Sequence, residues 1–194
     1  MTSAIDVLKP TAVVATTASV RANFQTAKTE IEALQTRTGY ADYNDVTTQT
    51  TPISPTASTW TKLTNDKAGV NTRSRLPSGV TNLWNASTNR LVLTELPVDS
   101  VVDVRLDLTV TTTGANQVVK LRTQLAIGDP IQFEFESTEM LYKTAGVHKV
   151  VVSNSFYIGS DIVRLNPGEF QIFSDASSTV KVNGWFFRVI KAIA

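Results

Sequence analysis

Val102-Asp103-Val104-Arg105-Leu106-Asp107-Leu108-Thr109-Val110 decides the class of fold, because apolar and polar side chains alternate along it without a break. Side chains of an extended chain point to opposite faces in turn, so this stretch is a strand with one dry face and one wet face. After Thr112-Thr113-Gly114-Ala115-Asn116, the residues Val119, Leu121, Leu125 and Ile127 alternate with Lys120, Arg122 and Gln124. The spacing predicts a long antiparallel hairpin over 101–127, ended by Gly128-Asp129-Pro130. Further strands are expected at 131–136, 138–143, 147–153, 155–158, 161–165, 169–174, 179–182 and 185–191, each bounded by Gly, Asn, Asp or Ser. That many short strands predict a mainly β protein, an antiparallel sandwich or jelly roll over 80–194. The 28 threonines and many valines agree, since β-branched side chains fit a pleated surface better than a helical turn.

The first part of the chain has a different period. Val20, Phe24, Ala27, Ile31 and Leu34 recur at spacings of four, three, four and three, which places them along one seam of a helix over 19–37. Ser19 is positioned as its N-cap and Gly39 as its stop signal. Residues 1–18, small side chains interrupted by Pro10, are expected to form an arm, so that arm and helix make a unit over 1–39. Between helix and sandwich, residues 40–79 are rich in Thr, Ser, Asn and Pro, with Pro52 and Pro55 restricting pairing, and are expected to be a connector with brief strands. The helix either caps the chain's own sandwich or joins other copies and a larger particle at a symmetry axis. Its separation from the sandwich by the connector favours assembly.

A second feature points the same way. In Trp185-Phe186-Phe187-Arg188-Val189-Ile190 and in Val150-Val151-Val152, apolar residues fall on both sides of the pleat. A small two-sheet sandwich dries only one face of each sheet. The second face is expected to meet other subunits through Val150, Val152, Trp185, Phe186 and Ile190; a local bulge or a covering loop is the alternative.

Composition excludes several functions. The 194 residues are 42% hydrophobic and 18% charged, with a net charge of +1 and dispersed basic residues, so no stripe exists to neutralise a nucleic-acid backbone. No apolar run approaches the ~18 residues of a membrane-spanning helix. Cysteine is absent, which removes disulfides, thiolate metal sites and cysteine nucleophiles, and fits synthesis in a cytoplasm.

His148 is the only histidine and sits at strand spacing between Val147 and Lys149, so neither a metal site nor a Ser-His-Asp triad is expected around it. Asp103 and Asp107 share a strand face but would lie ~13 Å apart, beyond the ~9.5 Å limit for paired glycosidase carboxylates. Glu134 and Glu136, ~6.6 Å apart, fall within range but belong to a solvated face with Gln132. No enzyme, no cofactor and no metal is therefore expected. Tyr40, Tyr43, Trp60 and Trp84 are candidate sugar-stacking aromatics, Trp60 and Trp84 above all, or else they seal a core or a subunit seam.

The run Ser19-Val20-Arg21-x-Asn23-Phe24-x-x-Ala27-Lys28-x-Glu30-Ile31-x-x-Leu34-Gln35 resembles the amino-terminal helices of small virion proteins of tailed bacteriophages, among fibre and capsid-decoration proteins. The end of the chain, Gly184-Trp185-Phe186-Phe187-Arg188-Val189, resembles in pattern the trimeric jelly-roll tips of tumour-necrosis-factor-like shape that phages carry. These resemblances imply an attachment element at the amino terminus, a trimeric outward head, other virion proteins as partners, and residence on the virion. No repeat or shaft lies between helix and head, which implies a short capsid fibre or decoration protein; a short tail fibre or adaptor that recognises host-surface glycans is the alternative.

Overall fold

The computed structural model describes residues 17–35 and 37–192. The expected arm over 1–18 lies almost wholly outside the described residues. Helix α1 spans Thr17–Gln35, with neither Gly nor Pro inside it. It begins two residues before Ser19, so Ser19 lies in the first turn and is not the cap. The Thr26 and Thr29 hydroxyls donate to the Ala22 and Gln25 carbonyls at 2.9 Å each, which spares their polar groups on an exposed helix.

Two antiparallel sheets face each other. One holds β3 (Asn71–Arg75), β1 (Thr38–Asn44), β11 (Ser178–Ile190), β6 (Val101–Thr112) and β9 (Gly146–Tyr157), in that spatial order. The other holds β2 (Thr61–Lys62), β10 (Glu169–Ser174), β7 (Gln117–Leu125) and β8 (Phe133–Tyr142), again in spatial order. With β3 and the short β4 (Trp84–Asn85) and β5 (Arg90–Leu91) set aside, eight strands remain. First pairs with last (β1 with β11), second with seventh (β2 with β10), third with sixth (β6 with β9) and fourth with fifth (β7 with β8). One long folded ribbon rolled onto itself gives this order, and it defines a jelly roll.

The core lies between the sheets. Val102, Val104, Leu106, Leu108 and Val110 of β6 are all buried, as are Val119, Leu121 and Leu125 of β7. Each strand therefore dries the face its alternation marks out. The expected hairpin over 101–127 is nevertheless corrected: β6 pairs with β11 and β9, β7 pairs with β10 and β8, and residues 113–116 carry the chain from one sheet to the other. Alternation states that one face of a strand is dry. It does not state which sheet supplies the dryness.

An aromatic cluster fills the middle. Trp84 stacks on Phe170 with ring centroids 5.8 Å apart and 7° between planes. Trp185 meets both edge-on, at 5.7 Å from Trp84 and 5.2 Å from Phe170, and Phe187 and Tyr43 extend the cluster.

Residues 40–79 correct the expectation of a connector. Strand β1 sits inside the five-stranded sheet, with its Ala41 and Tyr43 fully buried, and β2 and β3 join the two sheets. Gly39 is part of β1 and does not stop a helix. A Cβ there would collide with the Arg75 carbonyl oxygen and with Pro77, so only glycine allows the chain to pass. The segment 161–165, expected as a strand, is a short helix α2 (Asp161–Leu165), held by an Arg164 Nε to Asp161 Oδ1 contact of 2.8 Å one turn apart. Strands expected separately at 138–143, 155–158 and 179–182 fuse with their neighbours. A register shift between Val182 and Gly184 bends β11 without breaking it.

Candidate assembly surfaces

Helix α1 leaves the sandwich where β1 begins and β11 ends. That junction is clamped: Lys191 N–H donates to the Arg37 carbonyl at 2.8 Å, and Arg37 Nε donates to the Lys191 carbonyl at 2.9 Å. Beyond it, among the described residues, no element of the sandwich makes an extended contact with the helix. Val20 is 41%, Phe24 73% and Ile31 54% exposed, and Ala27 is half-buried. Leu34 is helical, and its side chain lies outside the described residues. The alternative in which the helix caps its own sandwich is thus not what the structure has.

On the outer face of the five-stranded sheet, Phe186 stacks on Tyr40 at 5.8 Å and 28°, and the Arg105 guanidinium lies 5.4 Å from the Phe186 ring centroid. Beside them Asp103 receives Arg188 Nε at 2.8 Å and the Ser155 hydroxyl at 2.7 Å, while Arg105 pairs with Asp107 at 2.9 Å. Asp103, Arg105, Ser155, Phe186 and Arg188 border an open depression of about 620 Å³, lined also by Ser153. Ile190 continues the apolar part at 38% exposure. Farther across, Val147, Val151 and Tyr157 of the edge strand β9 stand about two-thirds exposed.

The five residues expected at a subunit contact therefore separate. Phe186 and Ile190 do face outward. Val150, Val152 and Trp185 are corrected: all three are buried in the chain's own core, with Trp185 at 0% exposure. The parity of the pleat explains it, for once Trp185 and Phe187 point inward Phe186 must point out, and Val151 is the outward member of its triplet. Val147, Val151 and Tyr157 also face outward and were not among the five. The same parity would have supplied all three had the inward register of β9 been known.

Of the aromatics expected to meet sugars, Trp84 is corrected, being fully buried with its indole N–H donating to the Asn65 carbonyl at 2.8 Å. Trp60 is half-buried on the outer face of the other sheet. His148 stacks on Tyr142 with ring centroids 4.0 Å apart, and its Nε2 lies 3.0 Å from the Thr112 hydroxyl, so it closes one end of the sandwich. Among the described residues no three His, Cys, Asp or Glu side chains come together as metal ligands, and no helix is long and apolar enough to cross a membrane. Glu134 is engaged by Arg122 at 2.8 Å and by Gln124 at 3.2 Å.

No protein-family model and no curated protein matches the chain. Among solved structures it is similar to PRD1 vertex protein P5, at 15% identity over 81% of this chain and 98% of that one, with a TM-score of 0.36. It is also similar to Eiger TNF from S. frugiperda, at 9% identity over 81% and 95%, with a TM-score of 0.38. Against a chain of infectious bursal disease virus, Gx strain, the values are 9% identity, 48% of this chain and a TM-score of 0.37, and the match spans only 24% of that chain. All three are distant likenesses. The strand order itself makes this protein an antiparallel jelly roll.

Proposed function

We propose that this chain is a non-enzymatic structural protein of a virion, a short homotrimeric fibre or decoration attached to a bacteriophage capsid through its amino-terminal segment and displaying the jelly roll outward. The observation that carries the proposal is the bare seam of α1. A 19-residue helix with Phe24 and Ile31 in water is not stable by itself, since helices of this length draw their stability mainly from packing of an apolar face. Burying such side chains contributes about 1.5–3 kcal/mol each, in every copy. A parallel arrangement of copies supplies that cover and puts the clamped junction of each sandwich at the same level. The outer sheet face around Tyr40, Phe186 and Ile190, which belongs to the same sheet as the junction, is the adjoining contact between sandwiches. The seam would dock to siblings and to other virion proteins rather than to a small molecule, because Val20, Phe24, Ala27 and Ile31 along it offer apolar surface and no polar group.

Sedimentation of the purified full chain tests this. The expected result is a trimer that the double substitution Phe24→Asp, Ile31→Asp converts to monomers with an unchanged far-ultraviolet strand signal. A wild-type monomer at micromolar concentration, with α1 protected from hydrogen exchange, would refute it.

A further inference from the structure

The outer face of β2, β10, β7 and β8 carries a polar constellation that the assembly surfaces do not use. Trp60, just ahead of β2, lies 5.6 Å from Phe173, and the Arg122 guanidinium sits 4.3 Å from its ring centroid. Arg122 is only 14% exposed and is fixed from both sides. Its Nε donates to Gln171 Oε1 at 2.6 Å, and its Nη1 donates to Glu134 Oε2 at 2.8 Å. Gln171 in turn donates to Gln124 Oε1 at 3.1 Å and to Glu169 Oε1 at 2.5 Å. Gln124 donates to Glu134 Oε1 at 3.2 Å and to Gln132 Oε1 at 2.6 Å. Glu169, nearly buried, is held by Lys62 at 3.2 Å and Arg90 at 3.6 Å.

Long side chains give up the most rotamer freedom when they are fixed, and taking Arg122, Gln171 and Glu169 nearly out of water adds a desolvation cost that their mutual contacts must offset. Stability alone does not account for eight of them joined in one network beside an indole. The groups left over are suited to a ligand. Of the five guanidinium N–H groups of Arg122, two are engaged above. The Gln132 amide N–H groups, further lone pairs on Glu134 and Gln124, and the Trp60 ring lie around it. Planar donors and acceptors in alternation match the hydroxyls of a sugar, each of which both donates and accepts. An indole beside them matches the C–H face of a pyranose, through the apolar body and polar tip that Trp combines.

Charge narrows the ligand. Lys62, Arg90, Lys120 and Arg122 on this face are matched by Glu134, Glu136, Glu139 and Glu169. A balanced face has no attraction for phosphates or for a nucleic-acid backbone. The geometry points to a neutral oligosaccharide bound across β10, β7 and β8, with Trp60 as platform and Arg122, Gln124 and Glu134 as the hydroxyl-reading groups. Because the site lies on the sheet opposite to Tyr40 and Phe186, it does not depend on the trimer, and a trimer would present three such faces on its outside.

The test is an array of defined neutral and acidic oligosaccharides probed with the full-length protein, followed by calorimetry with the neutral glycan bound best. Trp60→Ala and Gln124→Ala should each weaken per-site binding about tenfold or more. Arg105→Ala, on the other sheet, should leave it unchanged. The helix variant Phe24→Asp, Ile31→Asp should retain the same per-site affinity, which separates this inference from the assembly. Silence across the array, binding confined to acidic glycans, or binding indifferent to Trp60→Ala would each overturn it.

Discussion

Phe186 and Phe187 are chemically identical neighbours on β11 that the pleat sends to opposite sides, so truncating each to alanine isolates the effect of place from that of residue type. Phe187 is fully buried, with its ring 5.7 Å from Tyr43 and 6.3 Å from Phe170. Removing it deletes a ring from a close-packed cluster and leaves a cavity, at a cost of about 3–5 kcal/mol. Phe186 is half-buried on the outer face, where it touches Tyr40 and Arg105. Losing about half of a Phe burial and one partly exposed aromatic stack costs about 1.3–2 kcal/mol. Urea unfolding in the Phe24→Asp, Ile31→Asp background, which removes the contribution of subunit contacts, reads the difference. With a slope of about 2.5 kcal/mol per molar, the midpoint should fall by about 1.2–2 M for Phe187→Ala and by about 0.5–0.8 M for Phe186→Ala. Equal shifts, or a larger one for Phe186→Ala, would mean that the register of β11 is reversed and that the core assignment fails.

Two further outcomes follow from single side chains. The Thr123 hydroxyl is buried in the core without a hydrogen-bond partner; Thr123→Val keeps the shape, removes that unpaired group and should raise stability by about 1 kcal/mol in the same urea assay. Asp66 is opposed by desolvation, which raises its pKa, but the Thr47 hydroxyl and the Ala68, Val46 and Thr47 N–H groups outweigh it and hold the carboxyl well below the usual range. A carboxyl depressed on folding stabilises the protein fully above its unfolded pKa of about 4, and the contribution is lost as pH falls toward the folded value. Asp66→Asn should therefore flatten the decline of stability below pH ~4, and an unaltered decline would contradict the assignment.

The sequence by itself determined the class of fold and the dry face of its best strands. Alternation in β6 and β7 is a property of neighbouring residues, and every apolar residue it marked in β6 is buried. The helix was equally legible, because the 3.6-residue period needs no knowledge of what covers it. The sequence also singled out Trp60 and Glu134, though not the network that joins them through Arg122, Gln124 and Gln171, because Gln171 of β10 meets Arg122 from 49 residues away in the chain.

Tertiary structure decided everything that depends on which strand lies beside which. Whether β6 and β7 share a sheet, and whether Trp185 or Phe186 points inward, changes no local preference, since either arrangement gives each strand one dry side. Strand β1 was read as helix stop and connector because Gly39 and the Thr, Ser, Asn and Pro of residues 40–79 present little apolar signal, yet glycine at 39 is what the close approach of Arg75 and Pro77 requires. Trp84 was open to sugar for the same reason. A tryptophan among polar neighbours such as Asn82, Asn85 and Ser87 becomes core only when Phe170 and Trp185, more than eighty residues away in the chain, close over it.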